Sequence, residues 1–296
     1  MAAVSATPGS LAPPPAAAPG RRRSGRPGRH PALVLGAALV LGVMAVALCA
    51  PLLAPYDPTA QVDKQLLRPG QGYLLGTDEL GRDELSRLLH GARIALYVGA
   101  FAVAIAAALG ASSGIVAGFY GGLADGVLMR LMDVLFSLPA VVLAIAITSV
   151  LGPSLTNAMI AVGIVYAPTF ARIARGPTLT VVKLPYIEAA RATGLPGWRI
   201  MLRHVLPNIS APLLVHATVA LSTAILTEAA LSFLGVGTQP PAPSWGLMLN
   251  ASRQFMLIDP WIAVLPGAAI ALTVLGFNLL GDGLRDLLDP RLRSSS

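Results

Sequence analysis

The sequence predicts an all-α polytopic membrane protein with six transmembrane helices and both termini in the cytoplasm. The 296 residues are 55% hydrophobic and only 12% charged, which is about half the charge of a typical soluble domain. Six apolar runs approach or exceed the roughly 20 residues that a helix needs to cross the hydrocarbon core. Fifteen of the 21 Lys and Arg residues fall on one side of these runs, and basic residues beside spans mark the cytoplasmic side.

The N-terminal part divides into a tail and a first span. Residues 1–30 are rich in Ala, Pro, Ser, Gly and Arg, and such a composition cannot bury enough apolar surface to order itself. We therefore predict a disordered cytoplasmic tail. Five arginines then precede the apolar run 31–53, which resembles a signal peptide but lacks a small-residue cleavage site. This run is predicted to be an uncleaved transmembrane helix, in which Cys49 is a buried, inert thiol.

Residues 54–93 are predicted to form an extracytoplasmic segment that ends in an amphipathic interfacial helix. Leu85, Leu88, Leu89 and Ala92 follow helical spacing, with charged residues largely between them. The polar residues match neither an EF-hand loop nor an H-E-x-x-H helix, so no metal site is predicted. We interpret them as caps and solvated charges: Asp78, Glu79, Asp83, Glu84 and His90.

The remaining spans are predicted within a transmembrane domain of residues 94–289, followed by a short cytoplasmic tail, 290–296. They cover residues 94–118, 134–150, 156–171, 209–233 and 261–280. Prolines occur in or beside several of them, which a helical bundle tolerates because neighbouring helices satisfy the freed carbonyls. Gly110, Gly114 and Gly118 recur every four residues, so one helix face is bare and predicts a seam of close helix packing.

Few charged residues lie within the spans. Glu228 is the acid that lies well inside a span. It follows the cytoplasmic start of its helix by some twenty residues, so it should lie roughly 30 Å from that start, near the outer boundary. A hydrogen-bonded structural acid is the favoured interpretation, and a proton relay is the alternative. Asp125, Arg130 and Asp133 lie at a span edge and are expected to pair with near neighbours along the helix.

Missing motifs argue against ATP binding and serine-nucleophile catalysis by this chain. The two lysines, Lys64 and Lys183, do not stand in a G-x-x-x-x-G-K-[ST] loop, so the chain has no P-loop for ATP. There is no G-x-S-x-G nucleophile elbow either. The net charge of +7 is explained by the topology signal, and no nucleic-acid partner is predicted. If ATP drives this protein, another chain must bind it.

A charged stretch interrupts the apolar runs at residues 188–208, EAARATGLPGWRIMLRHVLPN, within the predicted cytoplasmic segment 172–208. Pro185 suits the first turn of a helix and Gly194 suits its end. The enclosed helix presents Ala189, Ala190 and Ala192 as a small-residue surface, with Glu188 placed to pair with Arg191. A helix this short is not stable alone in water, so we expect it to dock on a partner. A second helix is predicted after residue 196, and Pro207 is expected to close it and to start the next span.

This stretch also carries a resemblance to a known family. Glu188, Ala189, Ala190, Gly194, Leu206 and Pro207 match the E-A-A-x-x-x-G…I-x-L-P signature of permease subunits of ATP-binding-cassette importers. His204 stands where the generic pattern has isoleucine, and the form W-R-I-x-x-R-H-x-L-P-N is similar to the peptide and nickel importer branch. Residues 76–96 and 226–249 resemble the same branch, and the likeness extends from Ala32 to Arg293.

The resemblance implies a type I ABC importer permease fold in the bacterial plasma membrane. Two homologous permeases would form the pathway, and two cytoplasmic ATP-binding subunits, or one fused subunit, would hold ATP and Mg. An extracytoplasmic binding protein would deliver short peptides, and the six signature residues would couple this chain to the ATPases. The chain itself would hold no cofactor and catalyse no reaction.

Three alternatives stay open at this point. The first is import of nickel or another small solute by the same machinery, because substrate choice rests largely with the binding protein. The second is a secondary transporter driven by protons through Glu228. The third is a non-transporting membrane scaffold or sensor.

Overall fold

A computed structural model describes residues 31–288, and it is helical throughout apart from loops and isolated bridges. The predicted tails, 1–30 and 290–296, lie outside the described residues. The helices are α1 (Pro31–Leu53), α2 (Glu84–Tyr120), α3 (Gly122–Phe136), α4 (Ala140–Leu151), α5 (Leu155–Val181), α6 (Pro185–Ala192), α7 (Gly197–Ile200), α8 (Leu206–Phe233), α9 (Trp245–Ser252) and α10 (Trp261–Leu288). A π-helical turn, Met201–Val205, joins α7 to α8.

Five helical segments are long and apolar enough to cross a membrane: α1, α2, α5, the run from α7 to α8, and α10. The pair α3 and α4 makes a sixth if it counts as one span, but it is bent by 93°. The span predicted at 134–150 is therefore wrong in its bounds, since the bend falls inside it. Pro139 precedes α4 as its N-cap, and a proline disfavours helical backbone at the residue before it.

The centre of the bundle is the packing of α2 on α5, through the three glycines singled out above. A Cβ atom on Gly110 would collide with the carbonyl oxygen of Ala167, and one on Gly114 with that of Ala171. At Gly118 it would come within 2.8 Å of the Thr178 side chain. The bare face lets the two backbones touch, so dispersion contacts hold helices that lipid does not drive together.

A second glycine seam, which the sequence pattern did not predict, joins α1 to α10. A Cβ atom on Gly36 would collide with the backbone nitrogen of Leu280, and one on Gly283 would meet Leu33 Cβ at 2.5 Å. Since α1 packs mainly on α10 and α2, its remaining sides stay open. Cys49 is exposed on one of them, so the prediction of a buried thiol is wrong.

The separate interfacial helix predicted before the second span does not exist. Residues 84–93 are the first turns of α2, a continuous helix of 37 residues about 55 Å long at 1.5 Å per residue. Asp83 caps it by accepting a hydrogen bond from the Ser86 amide at 2.8 Å. Residues 54–83 fold over this helix start, and Arg87 Nη1 donates to the Pro58 carbonyl at 3.0 Å.

Asp78, Asp83 and Glu84 are buried rather than solvated, which corrects a second expectation. Arg82 Nε lies 2.6 Å from Asp78 Oδ2, and Arg87 Nε lies 3.1 Å from the same oxygen. Arg82 also reaches Glu79 at 2.9 Å. Glu84 is buried beside them. Burial of charges is tolerable where opposite charges and hydrogen bonds accompany them, so these residues form a structural cluster.

Candidate coupling site

The two ends of the bundle differ in what covers them. We call the end carrying residues 182–208 the EAA end, where Arg191 lies over the ring of Phe119 near the end of α2. The opposite end carries residues 54–83 and 234–260 and is called the loop end. There the Trp245 indole donates to the Leu88 carbonyl at 3.0 Å, close to the start of α2. The signature residues Glu188, Ala189, Ala190 and Gly194 thus lie at the end opposite Glu228.

Helix α6 begins and ends where its sequence indicates. Pro185 occupies its first turn, where the missing N–H costs no hydrogen bond. Gly194 follows the helix with φ of +77°, and the Leu195 amide donates back to the Ala190 carbonyl at 3.2 Å. A Cβ atom on Gly194 would meet nothing within 4 Å. Glycine is favoured here by left-handed backbone alone, because a side chain carries a steric penalty in that region.

The two faces of α6 have different roles. Ile187 and Ala190 are buried and pack with Ile200, Val205 and Ile209 in one apolar cluster. Glu188, Ala189 and Ala192 are exposed. The prediction of a surface containing all three alanines is wrong for Ala190, because the spacing of three residues places it on the same face as Ile187. The free surface of α6 therefore carries Glu188, Ala189 and Ala192, together with Tyr186 and Arg191.

Aromatic contacts, and not a local ion pair, hold α6 and α7 to the end of α2. Within residues 31–288, Arg191 forms no ion pair with Glu188. Its guanidinium lies instead 4.8 Å from the Phe119 ring centroid, a distance typical of cation–π attraction. A Cβ atom on Gly197 would lie 3.0 Å from the Tyr120 hydroxyl. These contacts pack α6 and α7 against the end of α2, the central helix of the bundle.

Pro207 starts the next span, as predicted, but it does not close the helix before it. Pro207 lies in the first turn of α8, and the Leu206 amide donates to the Met201 carbonyl. This hydrogen bond is of the π type and spans five residues instead of four. The helix therefore continues although Pro207 has no N–H to donate. The result is one helical run from Gly197 to Phe233, so the EAA segment is continuous with a membrane span.

Glu228 is buried at the loop end of α8, with its carboxylate turned toward the loop that follows. Oε1 accepts hydrogen bonds from Ser232 at 2.6 Å, Thr238 at 2.8 Å and Ser244 at 3.2 Å. Three hydroxyl donors satisfy a buried carboxylate without a counter-charge. The side chain therefore fixes residues 234–244 to α8.

Two ion pairs join α3 to α5, where the sequence analysis expected pairing within α3. Arg175 donates Nε and Nη2 to the two carboxylate oxygens of Asp125, at 2.5 and 2.6 Å. Arg172 donates to Asp133 at 2.8 Å. Near-neighbour pairing is therefore wrong for both acids. The sequence carries no signal for these pairs, because partners 39 and 50 residues apart come together only through the packing of α3 on α5.

Among residues 31–288, no group of three or more His, Cys, Asp or Glu side chains is arranged to hold a metal ion.

Comparison with known proteins agrees with this architecture. Residues 110–294 match the family described as binding-protein-dependent transport system inner membrane component. Residues 28–69 match the N-terminal transmembrane domain of oligopeptide transport permease C. The inward-facing methionine ABC transporter MetNI superposes with a TM-score of 0.54 and 19% identity, covering 69% of this chain and 98% of that chain. This likeness shows the fold.

Curated relatives resemble the chain over nearly its full length. The di/tripeptide transport system permease protein DppC of Pseudomonas aeruginosa is 47% identical, over 88% of each chain. The glutathione transport system permease protein GsiD of Pectobacterium atrosepticum is 44% identical, over 90% of this chain and 89% of the relative. The dipeptide permease DppC of Alkalihalophilus pseudofirmus is 42% identical, over 97% of each. This chain therefore belongs to the binding-protein-dependent transport system inner membrane components, the multi-pass permease subunits of ABC importers.

Proposed function

We propose that this chain imports short peptides as one half of a permease pair, driven by ATPases that bind the EAA end. The observation that carries the proposal is the free face of α6, with Glu188, Ala189 and Ala192 exposed on a helix whose other face is packed into the bundle. A short helix held this way offers a partner a fixed surface on which Ala189 and Ala192 leave room for close contact. ATP and Mg would be bound by that partner, and this chain would catalyse no reaction.

The link from α6 to the spans supports a coupling role. Arg191 joins α6 to α2, and the run from α7 through α8 carries the segment into the membrane without a break. An ATPase that binds one arrangement of these helices better than another would shift the balance between them, and the same contacts would transmit that preference to the pathway.

The sidedness follows from the same proposal. If the ATPases lie in the cytoplasm, the EAA end is cytoplasmic and the loop end meets the binding protein. Both termini then lie in the cytoplasm, in agreement with the distribution of Lys and Arg. Cysteine labelling at Ala192→Cys and Leu257→Cys in intact cells tests this arrangement, because a membrane-impermeant maleimide would reach only the second.

The names of the relatives favour peptides over metal ions as the substrate. Dipeptides, tripeptides and the tripeptide glutathione appear in the names of proteins 42 to 47% identical to this chain. We therefore assign short peptides as the substrate class, and nickel import is not favoured. The proton-driven carrier is not favoured either, since Glu228 is engaged by three hydroxyl groups.

Purification of the tagged chain in mild detergent tests the proposal. We expect a second permease and ATP-binding subunits to copurify, and ATP-dependent uptake of a radiolabelled dipeptide after reconstitution with the binding protein. An Ala189→Trp variant should fold but lose the ATPases, because its indole would occupy the free face of α6. Uptake that persists without ATP, or normal ATPase copurification with Ala189→Trp, would refute the assignment of α6.

A further inference from the structure

A cavity of about 630 Å³, with a mixed wall of apolar and ionisable side chains, opens between α5, α8 and α10 at the EAA end. Ile173 of α5, Pro212, Val215 and His216 of α8, and Asp282 and Arg285 of α10 contribute to its wall. At Gly281, α8 and α10 touch, since a Cβ atom there would lie 2.7 Å from Val219 Cγ2. The volume lies within the 300–1,000 Å³ typical of sites for small molecules.

The cavity brings three ionisable side chains to one opening. His216 is half-buried and lies edge-on to the Phe170 ring, with centroids 4.7 Å apart. Asp282 and Arg285 are exposed to the cavity side of α10, and neither forms an ion pair with any other residue between 31 and 288. One negative and one positive group are thus both available to a ligand.

Depth distinguishes this cavity from an ordinary lipid-facing groove. His216 lies ten residues into α8, about 15 Å from the helix start at 1.5 Å per residue. Ionisable residues at such depth face a bundle interior or a water-filled cavity, because exposure to lipid is costly. By contrast, the groove lined by Ala108, Ser112 and Leu202 is almost purely apolar. Water and solute, rather than acyl chains, therefore suit the cavity at His216.

We propose that this cavity is a subsite for the charged termini of a short peptide in transit, with Asp282 facing the ammonium group and Arg285 facing the carboxylate. Guanidinium groups bind carboxylates through paired hydrogen bonds, and an aspartate is the matching acceptor for an ammonium group. Peptides with two free termini carry both charges at neutral pH. The half-buried His216 contacts the peptide between them. This proposal rests on peptide import by the assembled transporter.

Protection from thiol labelling tests the subsite directly. Cys49→Ser removes the only cysteine, and Val215→Cys then places a reporter in the cavity wall, with Ala211→Cys as a second reporter in the same wall. The assembled transporter in nanodiscs is treated with a maleimide in the presence of Ala-Ala or of N-acetyl-Ala-Ala-amide, at equal millimolar concentration. Ala-Ala should slow labelling at least threefold, and the blocked peptide, which lacks both charges, should not.

Matched variants distinguish loss of the two charges from a general disturbance of the fold. Asp282→Asn or Arg285→Gln should abolish the protection, whereas Asp286→Asn, a nearby exposed acid outside the cavity wall, should retain it. Ser112→Cys reports on the apolar groove and should show no protection by either peptide. Dipeptide uptake is measured on the same preparations.

The outcomes are distinct for the subsite and for peptide import. Equal protection by both peptides, or none at either reporter in a preparation that takes up dipeptide, overturns the subsite while peptide import stands. Absence of uptake from every assembly refutes peptide import, and the subsite falls with it.

Discussion

The guanidinium of Arg175 on α5 donates two hydrogen bonds to the carboxylate of Asp125 on α3, at 2.5 and 2.6 Å. This pair fixes the first turn of α3, whereas the 93° bend toward α4 follows its last turn. The second pair between the helices, Arg172 with Asp133, has one hydrogen bond, and its two side chains are 47% and 57% exposed. The two pairs thus differ in geometry and in exposure.

We predict that Arg175→Gln lowers the melting temperature of the detergent-solubilised protein more than Arg172→Gln does. A two-bond guanidinium–carboxylate pair is stronger than a single exposed contact, whereas exposed pairs contribute about 0–1 kcal/mol. Scanning fluorimetry of the two variants measures the difference. The exchanged pair, Asp125→Arg with Arg175→Asp, should recover part of the loss. Equal shifts for the two single variants would contradict the ranking.

The glycine seam of α2 gives a second prediction. Gly110→Ala and Gly114→Ala should sharply reduce folded protein, because the added Cβ would collide with backbone carbonyl oxygens of α5 and backbone cannot move aside as a flexible side chain does. Gly126→Ala is the matched control, since a Cβ there would meet nothing within 4 Å. Size-exclusion recovery in mild detergent measures the outcome. If Gly110→Ala and Gly114→Ala were recovered as well as Gly126→Ala, close backbone packing of α2 on α5 in the membrane would be refuted.

The seam, the apolar helices and the ends of α6 were predictable because each depends on residues close in sequence. Small residues four apart share a helix face wherever the helix packs, and glycine after a short helix indicates a left-handed end. The bend at Pro139, the pair of Asp125 with Arg175 and the inward turn of Ala190 depend on which helices become neighbours. That information lies between segments far apart in sequence, and one chain read alone does not contain the pairing.

The two faces of α6 lead to a third prediction, a contrast between neighbouring alanines. Ala190→Trp should destabilise the EAA end, because residue 190 packs against Ile187 and Ile200 in a filled cluster and overpacking costs about 1–3 kcal/mol or more. Ala189→Trp should leave the melting temperature within about 1 °C, since residue 189 is exposed and surface changes stay within about ±0.5 kcal/mol. Under the proposed function, only the second variant separates loss of ATPase binding from loss of fold.

Gly194 supports a fourth prediction, because its constraint is backbone conformation alone. Gly194→Asn should be tolerated better than Gly194→Val, since asparagine enters the left-handed region readily and a β-branched residue does not. No neighbouring atom would obstruct either side chain near the backbone. Uptake and ATPase copurification should both follow the order Gly, Asn, Val. Equal effects of the two substitutions would indicate that the partner, and not the backbone, selects glycine.

Glu228 supports the last prediction, which separates a structural carboxylate from a proton carrier. Glu228→Gln keeps one carbonyl oxygen to accept hydrogen bonds, so ATP-driven uptake should persist with a modest loss of stability. Glu228→Leu deprives the hydroxyls of Ser232, Thr238 and Ser244 of their acceptor, and each unsatisfied buried group costs about 1–3 kcal/mol.

The loop of residues 234–244 should then exchange amide hydrogens faster in Glu228→Leu than in the parent chain, as measured by mass spectrometry. Ser244→Ala removes only the longest of the three bonds, 3.2 Å, and should give a smaller increase confined to the same loop. Because the carboxylate binds the loop and not a conducted proton, a collapse of the transmembrane proton gradient at constant ATP should leave uptake by the parent chain unchanged. Uptake that stopped with the gradient, together with unaltered exchange in Glu228→Leu, would assign this acid to proton coupling instead.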